Sequence, residues 1–369
     1  MTTTTEVAGL IRPDVFEMDA YTPIVPFEVL CAQLGLPADQ IIKVDANENP
    51  YGPSPKVADA LARYPYYHIY PDPNHTVLRE ALESYVGVGR EHLMLGTGSD
   101  ELLDVVIRLF CQPGDGIVNC PSTFGMYPFL SSVAGARLIS VPRRADRSVD
   151  VPAIEALFDA SQAAPPKLIF IASPNNPDGS VLDQSDLQRL LALPMVVVVD
   201  QAYVEFGGED FSPLVPQHPN LIVMRTFSKW AGLAGLRVGY GVFPAEIIGH
   251  LFKIKQPYNV NAAAQAAVLA SLEDLETLQA RVRTLIAERE VLYAGLQSIE
   301  ALHPYPSHSN FVLNRVLGRD AAELKAALAR QGILVRYYRT PGLDDHIRIS
   351  VGKPEQNVHV LAALHKELD

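Results

Sequence analysis

Short apolar runs alternate with amphipathic helical patterns between about Asp59 and Leu251. The runs that predict strands are His92–Leu95, Gly116–Asn119, Leu138–Val141, Leu168–Ala172, Met195–Val199 and Leu221–Arg225. From Asp100 to Phe110 the apolar residues repeat at helical spacing, which predicts a helix with one buried face. Strands that are apolar throughout are typical of a parallel sheet that helices cover on both faces. This part of the chain is therefore predicted to be an α/β domain.

The pattern changes after about Gln256. The segment Ala262–Leu272 is rich in alanine. Helices are predicted over Leu275 to about Leu296 and Ala321–Arg330, and strands over Asn310–Leu313, Ile333–Tyr338 and Ile347–Val351. We interpret this mixture as a smaller α+β domain that packs with part of an N-terminal arm. The predicted boundaries are 1–40 for the arm, 41–262 for the large domain and 263–369 for the small domain.

Length and composition narrow the classes of protein to consider. The chain has 369 residues, 48% of them apolar and 20% charged, which is enough for about two globular domains with large cores. A net charge of −12 argues against a general nucleic-acid binder. Cys31, Cys111 and Cys120 fit neither a disulfide framework nor the spacing of metal ligands. We therefore expect a reducing compartment, no metal site and no nucleic-acid partner.

Neither a targeting segment nor a membrane span is recognisable. The opening segment Met1–Ala20 lacks the basic and apolar regions of a signal peptide. Nowhere do about 20 apolar residues run together without a charge or a helix breaker. The protein is accordingly expected to be cytoplasmic and to bind no membrane.

Candidate chemistry lies just after the predicted strands, where open α/β sheets bind their ligands. The segment Gly96-Thr97-Gly98-Ser99-Asp100-Glu101 joins a strand to a helix, so free N–H groups and the helix dipole can face an anion. The third glycine of a dinucleotide fingerprint is absent, because that position holds Glu101, and no P-loop sequence occurs. A small phosphate ester fits this segment better than a dinucleotide. Alternatively, Ser99 or Asp100 only caps the helix.

An acid and an amine follow two of the other strands. Asp200 ends a run of four valines, where an unpaired charge is costly, so it needs a cationic or N–H partner. A protonated pyridine nitrogen would serve, and capping of a following helix is the alternative. Lys229 precedes a stretch rich in Gly, Ala and Leu, where desolvation and a nearby cation would lower its pKa and favour Schiff-base chemistry.

Further polar groups surround these two candidates. Thr226, Ser228 and Arg237 supply hydroxyls and a guanidinium suited to phosphate. The turn 173–179, with the sequence SPNNPDG, places two amides after a strand, although most such clusters are only turns. An Asn side chain of this turn, or Tyr203, could donate a hydrogen bond to a ring hydroxyl.

Taken together, these segments resemble the fold-type I, class II aminotransferases that depend on pyridoxal 5'-phosphate (PLP), and among them the histidinol-phosphate aminotransferases. The matching motifs, in the family's order, are DANENPYGPSP (Asp45–Pro55), YPDP (Tyr70–Pro73), GTGSDELL, NNPDG, VVDQAYVEF, RTFSKWAGLAGLRVGYG, PYNVN (Pro257–Asn261), SNFVL, GILVRYY and IRISVGKPEQN. The resemblance implies a large PLP-binding domain with a mostly parallel seven-stranded sheet covered by helices on both faces. It also implies a smaller α+β domain and an N-terminal arm.

The resemblance also assigns a role to each cofactor residue. Lys229 would be the Schiff-base lysine and proton carrier, and Asp200 would pair with the pyridine nitrogen. Asn176 and Tyr203 would contact the ring hydroxyl, and Phe124 would stack on the ring. The residues that would hold the phosphate are Ser99, Asp100, Thr226, Ser228 and Arg237. Tyr70 would reach that phosphate from a neighbouring subunit, which implies a homodimer.

Substrate residues are implied in the same way. Arg348 and Arg336 would bind the substrate's phosphate or carboxylate, with Asn47 and Tyr258 lining the pocket, although both arginines could instead form salt bridges at its rim. Tyr21 matches a family position in which a following glycine is missing here, which leaves its substrate role open. Two further departures are Gln201, where the family usually has Glu, and Phe124, where it usually has Tyr.

The implied reaction is transamination of L-histidinol phosphate with 2-oxoglutarate, which gives imidazole-acetol phosphate and glutamate in histidine biosynthesis. An aromatic amino-acid aminotransferase is the nearest alternative, since its pocket also accepts a ring. A PLP-dependent decarboxylase of a phosphorylated amino acid is a further one. A regulatory domain on the same scaffold would need a DNA-binding segment, and no basic helix-turn-helix stretch is evident.

Overall fold

The computed structural model describes residues 7–18, 20, 25–159 and 164–368. In this part of the chain the helices are α1 (Pro13–Phe16), α2 (Phe27–Leu34), α3 (Pro55–Arg63), α4 (Thr76–Val86), α5 (Gly98–Phe110), α6 (Met126–Val133), α7 (Val151–Glu155), α8 (Gln184–Leu191), α9 (Ala245–Ile254), α10 (Ala262–Leu272), α11 (Leu275–Gln297), α12 (Ala321–Arg330) and α13 (Pro354–Leu368). The strands are β1 (Ile42–Val44), β2 (Leu93–Gly96), β3 (Gly116–Asn119), β4 (Arg137–Ser140), β5 (Pro166–Ala172), β6 (Val196–Asp200), β7 (Leu221–Thr226), β8 (Gly239–Val242), β9 (Leu302–Pro304), β10 (Phe311–Val316), β11 (Ile333–Tyr337) and β12 (His346–Ser350).

Within the described residues, the larger sheet has seven strands in the order β2-β8-β7-β6-β5-β3-β4. Strands β3 to β7 pair in parallel, whereas β8 runs antiparallel to β2 and to β7. The predicted mostly parallel sheet is therefore confirmed, and the predicted strands match to within about two residues. Strand β8 was not predicted, because Gly239 and Gly241 interrupt its apolar pattern.

Helices cover both faces of this sheet. Successive side chains of a strand point to opposite faces, so each strand contributes to two cores. In β5, Leu168 and Phe170 belong to one buried cluster, and Ile169 and Ile171 belong to the other. Residues of α5, α6 and α9 complete the first cluster, and residues of α4, α7 and α8 contribute to the second. The apolar strand pattern thus reflects burial on both sides.

The second sheet has five strands in the order β1-β11-β12-β10-β9 across the described part of the chain. Three predicted elements, β10, β11 and β12, form its antiparallel centre. Strand β1 pairs in parallel with β11, with Ile42 opposite Ile333 and Val44 opposite Val335. A segment from the start of the predicted large domain therefore completes the smaller sheet, while the three boundaries themselves stay predictions.

Two further expectations concern membrane-spanning helices and the state of the cysteines. Within the described ranges, no helix is both long enough and apolar enough to cross a bilayer. Cys31, Cys111 and Cys120 are free thiols, of which Cys120 is buried. The cytoplasmic location stays a prediction.

Candidate active site

A cavity of about 570 Å³ lies between the carboxyl edge of the seven-stranded sheet and the five-stranded sheet. The predicted site residues that line it are Asn47, Ser99, Asp100, Phe124, Asn176, Asp200, Tyr203, Thr226, Ser228, Lys229, Arg237, Arg336 and Arg348. Parallel strands end at one edge, so side chains far apart in the chain converge there. Residues from both sheets contribute to the same cavity.

Lys229 follows strand β7 and reaches across to the segment that follows β1. Its Nζ donates a hydrogen bond to the backbone oxygen of Ala46 at 3.1 Å and lies 5.8 Å from the centre of the Tyr203 ring. Burial lowers the pKa of this amine to about 8, and the positive charge of Arg348 contributes in the same direction. Because a larger share of the amine is then unprotonated near neutral pH, it can act as a nucleophile or base.

Asp200 ends β6 with its side chain at the cavity wall, and the residue is only 4% exposed. The Tyr127 hydroxyl donates to Oδ2 at 2.8 Å, and the N–H of Ala202 donates to Oδ1 at 3.1 Å. Burial raises the pKa of the carboxyl to about 6, and the Tyr127 hydrogen bond opposes that change. Tyr127 was not singled out in the sequence, because a buried phenol on an apolar helix face resembles any core aromatic.

The segment between β2 and α5 comes close to β8 and Arg237. Gly98 has φ +74°, and a Cβ there would lie 2.7 Å from Nη2 of Arg237. That guanidinium pairs with Asp100 Oδ2 at 3.1 Å, and the Thr226 hydroxyl donates to Ser228 Oγ at 2.9 Å. Hydroxyls, a guanidinium and a helix N-terminus together form a donor set suited to a phosphate. The alternative that Ser99 or Asp100 caps this helix is wrong, since the N-cap residue is Thr97, whose side chain makes no capping hydrogen bond to the helix.

Two arginines of the smaller sheet, Arg336 and Arg348, line the same cavity as the amine of Lys229. Arg336 of β11 is directly opposite Arg348 of β12 in the strand register. Arg348 is 5% exposed, and its two terminal nitrogens donate to Asn176 Oδ1 at 2.5 Å and to the Asp45 carbonyl at 2.8 Å. Because Arg348 is buried and both of its partners are neutral, it does not form the salt bridge at the pocket rim that was the alternative for this residue. The Arg336 guanidinium lies 5.6 Å from the Tyr338 ring centre.

Asn47 connects the two sheets at the cavity. Its Nδ2 donates to the Tyr203 hydroxyl at 3.0 Å, and its backbone N–H donates to Ser350 Oγ at 2.8 Å. The Asn310 amide donates to the Asn47 carbonyl at 3.0 Å. Asn310 and Ser350 were missed in the sequence, because they read as ordinary polar residues at strand ends. Asn47 therefore orients Tyr203 and fixes the segment that accepts the Lys229 hydrogen bond.

Two predicted residues of the described part of the chain, Tyr70 and Tyr258, do not line this cavity. The rings of Tyr70 and Tyr258 stack on each other at 4.6 Å, and the two residues are 79% and 42% exposed. Tyr21 lies outside the described residues. The prediction that Tyr258 lines the substrate pocket is thus not supported within a single chain.

The residues of the cavity fit a phosphorylated pyridine aldehyde. A partly unprotonated amine suits the aldehyde, a buried acid suits the ring nitrogen, and the ring of Phe124 lies on the cavity wall. Arg348 Nε is buried without a hydrogen-bond partner among the described residues, so one donor remains for a bound group. This donor set lies in one continuous cavity.

Comparison with known proteins gives the family. The model of the class I and II aminotransferases matches residues 39–364. The chain is 50% identical to a histidinol-phosphate aminotransferase of Roseiflexus castenholzii, over 97% of this chain and 98% of the relative. It is 48% identical to the chloroplastic histidinol-phosphate aminotransferase of Nicotiana plumbaginifolia, over 96% of this chain and 86% of that protein.

A solved structure shares the fold over nearly the whole chain. The histidinol-phosphate aminotransferase of Sinorhizobium meliloti in complex with pyridoxal-5'-phosphate superimposes with a TM-score of 0.85. The two proteins are 28% identical, and the match covers 97% of each chain. Fold, site and sequence agree, and the chain therefore belongs to the class I and II aminotransferase family.

Proposed function

We propose that this aminotransferase uses PLP to transfer the amino group of L-histidinol phosphate to 2-oxoglutarate, as a step of histidine biosynthesis. The products would be imidazole-acetol phosphate and glutamate. The observation that carries the proposal is the similarity to histidinol-phosphate aminotransferases, which extends over nearly the whole chain at 48–50% identity. The cavity supports it, because an amine and two arginines face the same space.

The cofactor would be held by the residues that line the cavity. PLP, when bound, withdraws electrons from the bond that breaks at the substrate α-carbon. Asp200 would accept a hydrogen bond from the protonated ring nitrogen, and Tyr203 and Asn176 would contact the ring hydroxyl. Phe124 would pack on the ring. The phosphate would lie among Ser99, Asp100, Thr226, Ser228 and Arg237.

Lys229 would first hold the cofactor and then move a proton. A pKa of about 8 leaves far more of Nζ unprotonated near neutral pH than an ordinary lysine would have, which favours its action as a general base. The Ala46 carbonyl accepts a hydrogen bond from Nζ at 3.1 Å and so restrains the amine at the wall of the cavity that Arg348 also lines. Nζ would take the proton from the substrate α-carbon and return it to the cofactor side.

Arg336 and Arg348 would bind the anionic ends of both substrates. A planar guanidinium forms paired hydrogen bonds with either a phosphate or a carboxylate, so one site can serve both half-reactions. The burial of Arg348 strengthens such an interaction because water screens it less. Asn47 would shape the adjoining wall.

Visible absorbance of the purified protein tests the proposal. Adding L-histidinol phosphate should remove the absorbance of the lysine-bound cofactor, and 2-oxoglutarate should restore it. Lys229→Ala should keep PLP only non-covalently and lose turnover, whereas Lys253→Ala, on the exposed side of α9, should behave as the wild type. Normal turnover by Lys229→Ala would refute the role of this lysine.

Substrate identity needs a separate comparison. We expect kcat/KM for L-histidinol phosphate to exceed that for phenylalanine by at least about a hundredfold, since a site built for a charged group rejects ligands that leave it unpaired. A strong preference for phenylalanine would instead indicate an aromatic amino-acid aminotransferase. Carbon dioxide release without an oxo acid would indicate a decarboxylase.

We also propose a homodimer in which Tyr70 acts across the interface. The segment around Tyr70 exposes several large side chains, namely Tyr66, Tyr67, Ile69 and Tyr70. Contiguous apolar exposure of this kind is typical of an interaction surface. Tyr70 is not part of the cavity lining of its own chain, which leaves it available to the cavity of a second copy.

Mixed dimers test this arrangement. A dimer of one Tyr70→Phe subunit and one Lys229→Ala subunit contains one native site only if Tyr70 acts across the interface. We expect such hybrids to contain about half as many native PLP sites as the wild-type dimer and to regain about half of its turnover. If Tyr70 served its own subunit, the hybrids would contain no native site and would stay impaired.

A further inference from the structure

We propose that Tyr127 is a positioning residue of this enzyme, whose phenol orients the Asp200 carboxylate toward the ring nitrogen and keeps it ionised. The inference rests on the proposed function, because it assigns a residue that acts through Asp200 on the same cofactor. Tyr127 belongs to α6 and follows the predicted ring-stacking residue Phe124 by three positions in the chain.

A single hydrogen bond joins the two side chains. The Tyr127 hydroxyl donates to Asp200 Oδ2 at 2.8 Å, while the N–H of Ala202 donates to Oδ1 at 3.1 Å. Each carboxylate oxygen therefore has one protein donor. Because these donors hold both oxygens, the carboxylate cannot rotate freely, and its remaining lone pairs stay available to the cavity that it lines.

The phenol itself is held rigidly. Tyr127 is completely buried, and its ring stacks on Phe170 at 5.2 Å with an interplanar angle of 14°. The Phe124 ring meets its edge at 5.6 Å. One turn further along α6, the Ser131 hydroxyl donates to the Tyr127 carbonyl at 2.7 Å. These contacts leave the hydroxyl little freedom to point anywhere but at Asp200.

Charge explains why a donor is needed there. Burial disfavours a carboxylate, and a hydrogen bond to the charged form favours it. The pKa of the Tyr127 phenol is raised well above its ordinary value by burial, so it remains protonated and acts only as a donor. The charged or titratable groups that influence this pair are Asp100, Arg143, Tyr203 and Lys229. A pairing acid must be ionised at the working pH, and the phenol contributes to that state.

A purely structural role for Tyr127 predicts different behaviour. Phenylalanine would preserve the stack on Phe170 and the contact with Phe124, and it would remove only the donor. If Tyr127 merely fills the core, Tyr127→Phe should change neither the titration of Asp200 nor the cofactor affinity. If it positions Asp200, both should change while the fold is preserved.

The apoprotein gives the first measurement. Infrared difference spectra between each protein and its Asp200→Asn counterpart report the titration of the Asp200 carboxyl. In Tyr127→Phe we expect its midpoint to move to higher pH, because the ionised form loses a donor. Tyr240→Phe is the matched control, since it removes another fully buried phenol outside the site. In Tyr240→Phe the Asp200 carboxyl should titrate with the same midpoint as in the wild type.

The holoenzyme gives the second measurement. We expect Tyr127→Phe to bind PLP about tenfold more weakly and to lower kcat about tenfold with little change in KM, as the loss of a hydrogen bond to a charged group implies. The acid limb of the pH profile should also move to higher pH. Introducing 3-fluorotyrosine at position 127, whose phenol is a stronger donor, should move both pH midpoints in the opposite direction.

The outcomes separate this inference from the proposed function. Wild-type titration, affinity and pH profile in Tyr127→Phe would overturn the role of Tyr127 and leave the aminotransferase assignment intact. Failure of the wild-type protein to capture PLP on Lys229 would instead remove the proposed function. If Tyr127→Phe does not fold, the fluorotyrosine protein decides alone, and unchanged midpoints in it would reject the inference.

Discussion

Gln201 follows Asp200 directly and is completely buried. Its Nε2 donates to the Glu209 carbonyl at 2.6 Å, and its Oε1 accepts from the N–H of Phe211 at 3.1 Å. The two bonds together need one donor and one acceptor on the same side chain, which an amide supplies and a carboxylate does not. The backbone groups around this position therefore fit the amide of Gln201.

We therefore predict that Gln201→Glu destabilises the protein. An ionised glutamate would leave the Glu209 carbonyl unpaired and would bury a charge, at a cost of about 1–3 kcal/mol in the free energy of unfolding. Denaturant unfolding measures this difference. Gln217→Glu, at the exposed last residue of the short 3-10 helix Ser212–Gln217, is the matched control and should change stability little. Equal stability of both variants would contradict the argument.

Strand β8 passes very close to the start of α5. A Cβ at Gly239 would lie 2.7 Å from the Ser99 nitrogen, 2.8 Å from the Arg225 carbonyl oxygen and 2.9 Å from the Gly98 carbonyl carbon. All three are backbone atoms, so no flexible side chain can move aside. The glycine of this antiparallel strand thus permits the close approach of the segment that would bind the cofactor phosphate.

Gly239→Ala should displace that segment by several tenths of an ångström. We predict a PLP dissociation constant raised about tenfold, since overpacking costs about 1–3 kcal/mol. Fluorescence titration of the apoprotein with PLP measures the constant. Gly235→Ala, nearby in the chain but with no atom within 4 Å of the added Cβ, should bind PLP as the wild type does. Unchanged affinity in Gly239→Ala would refute the prediction.

At the scale of the whole molecule, hydrogen bonds of Asn47 join the two sheets. Asn47 accepts hydrogen bonds from Ser350 and Asn310 of the smaller sheet's side and donates one to Tyr203 of the larger sheet's side. The neighbouring Ala46 carbonyl accepts the Lys229 hydrogen bond. The relative position of the two sheets therefore determines the geometry around the amine.

Ser350→Ala tests this connection. The change removes a donor to Asn47 Oδ1 and an acceptor for its buried N–H, so we predict a loss of about 1–3 kcal/mol in the free energy of unfolding. Denaturant unfolding of the apoprotein gives the value. Ser298→Ala, at the exposed end of α11, should lose much less. A similar loss in both variants would show that the connection contributes nothing specific.

Hydrophobic pattern and local motifs were enough to predict six of the seven strands of the larger sheet and the residues just beyond them. Asp200 and Lys229 are recognisable because each follows an apolar strand, and the carboxyl ends of parallel strands meet at one edge. Strand β8 was missed because two of its four residues are glycine, which carries no apolar signal. β1, with only three residues, is too short to have a period.

By itself the sequence determined the class of fold, the order of most elements and the candidate amine, acid and phosphate-binding groups, because these follow from local composition and spacing. Only the tertiary structure decided which groups meet. Tyr127 and Asp200 are 73 residues apart, and Asn47 and Ser350 are 303 apart. Such contacts depend on how helices and sheets pack, and periodicity along the chain contains no information about a hydrogen bond across that distance.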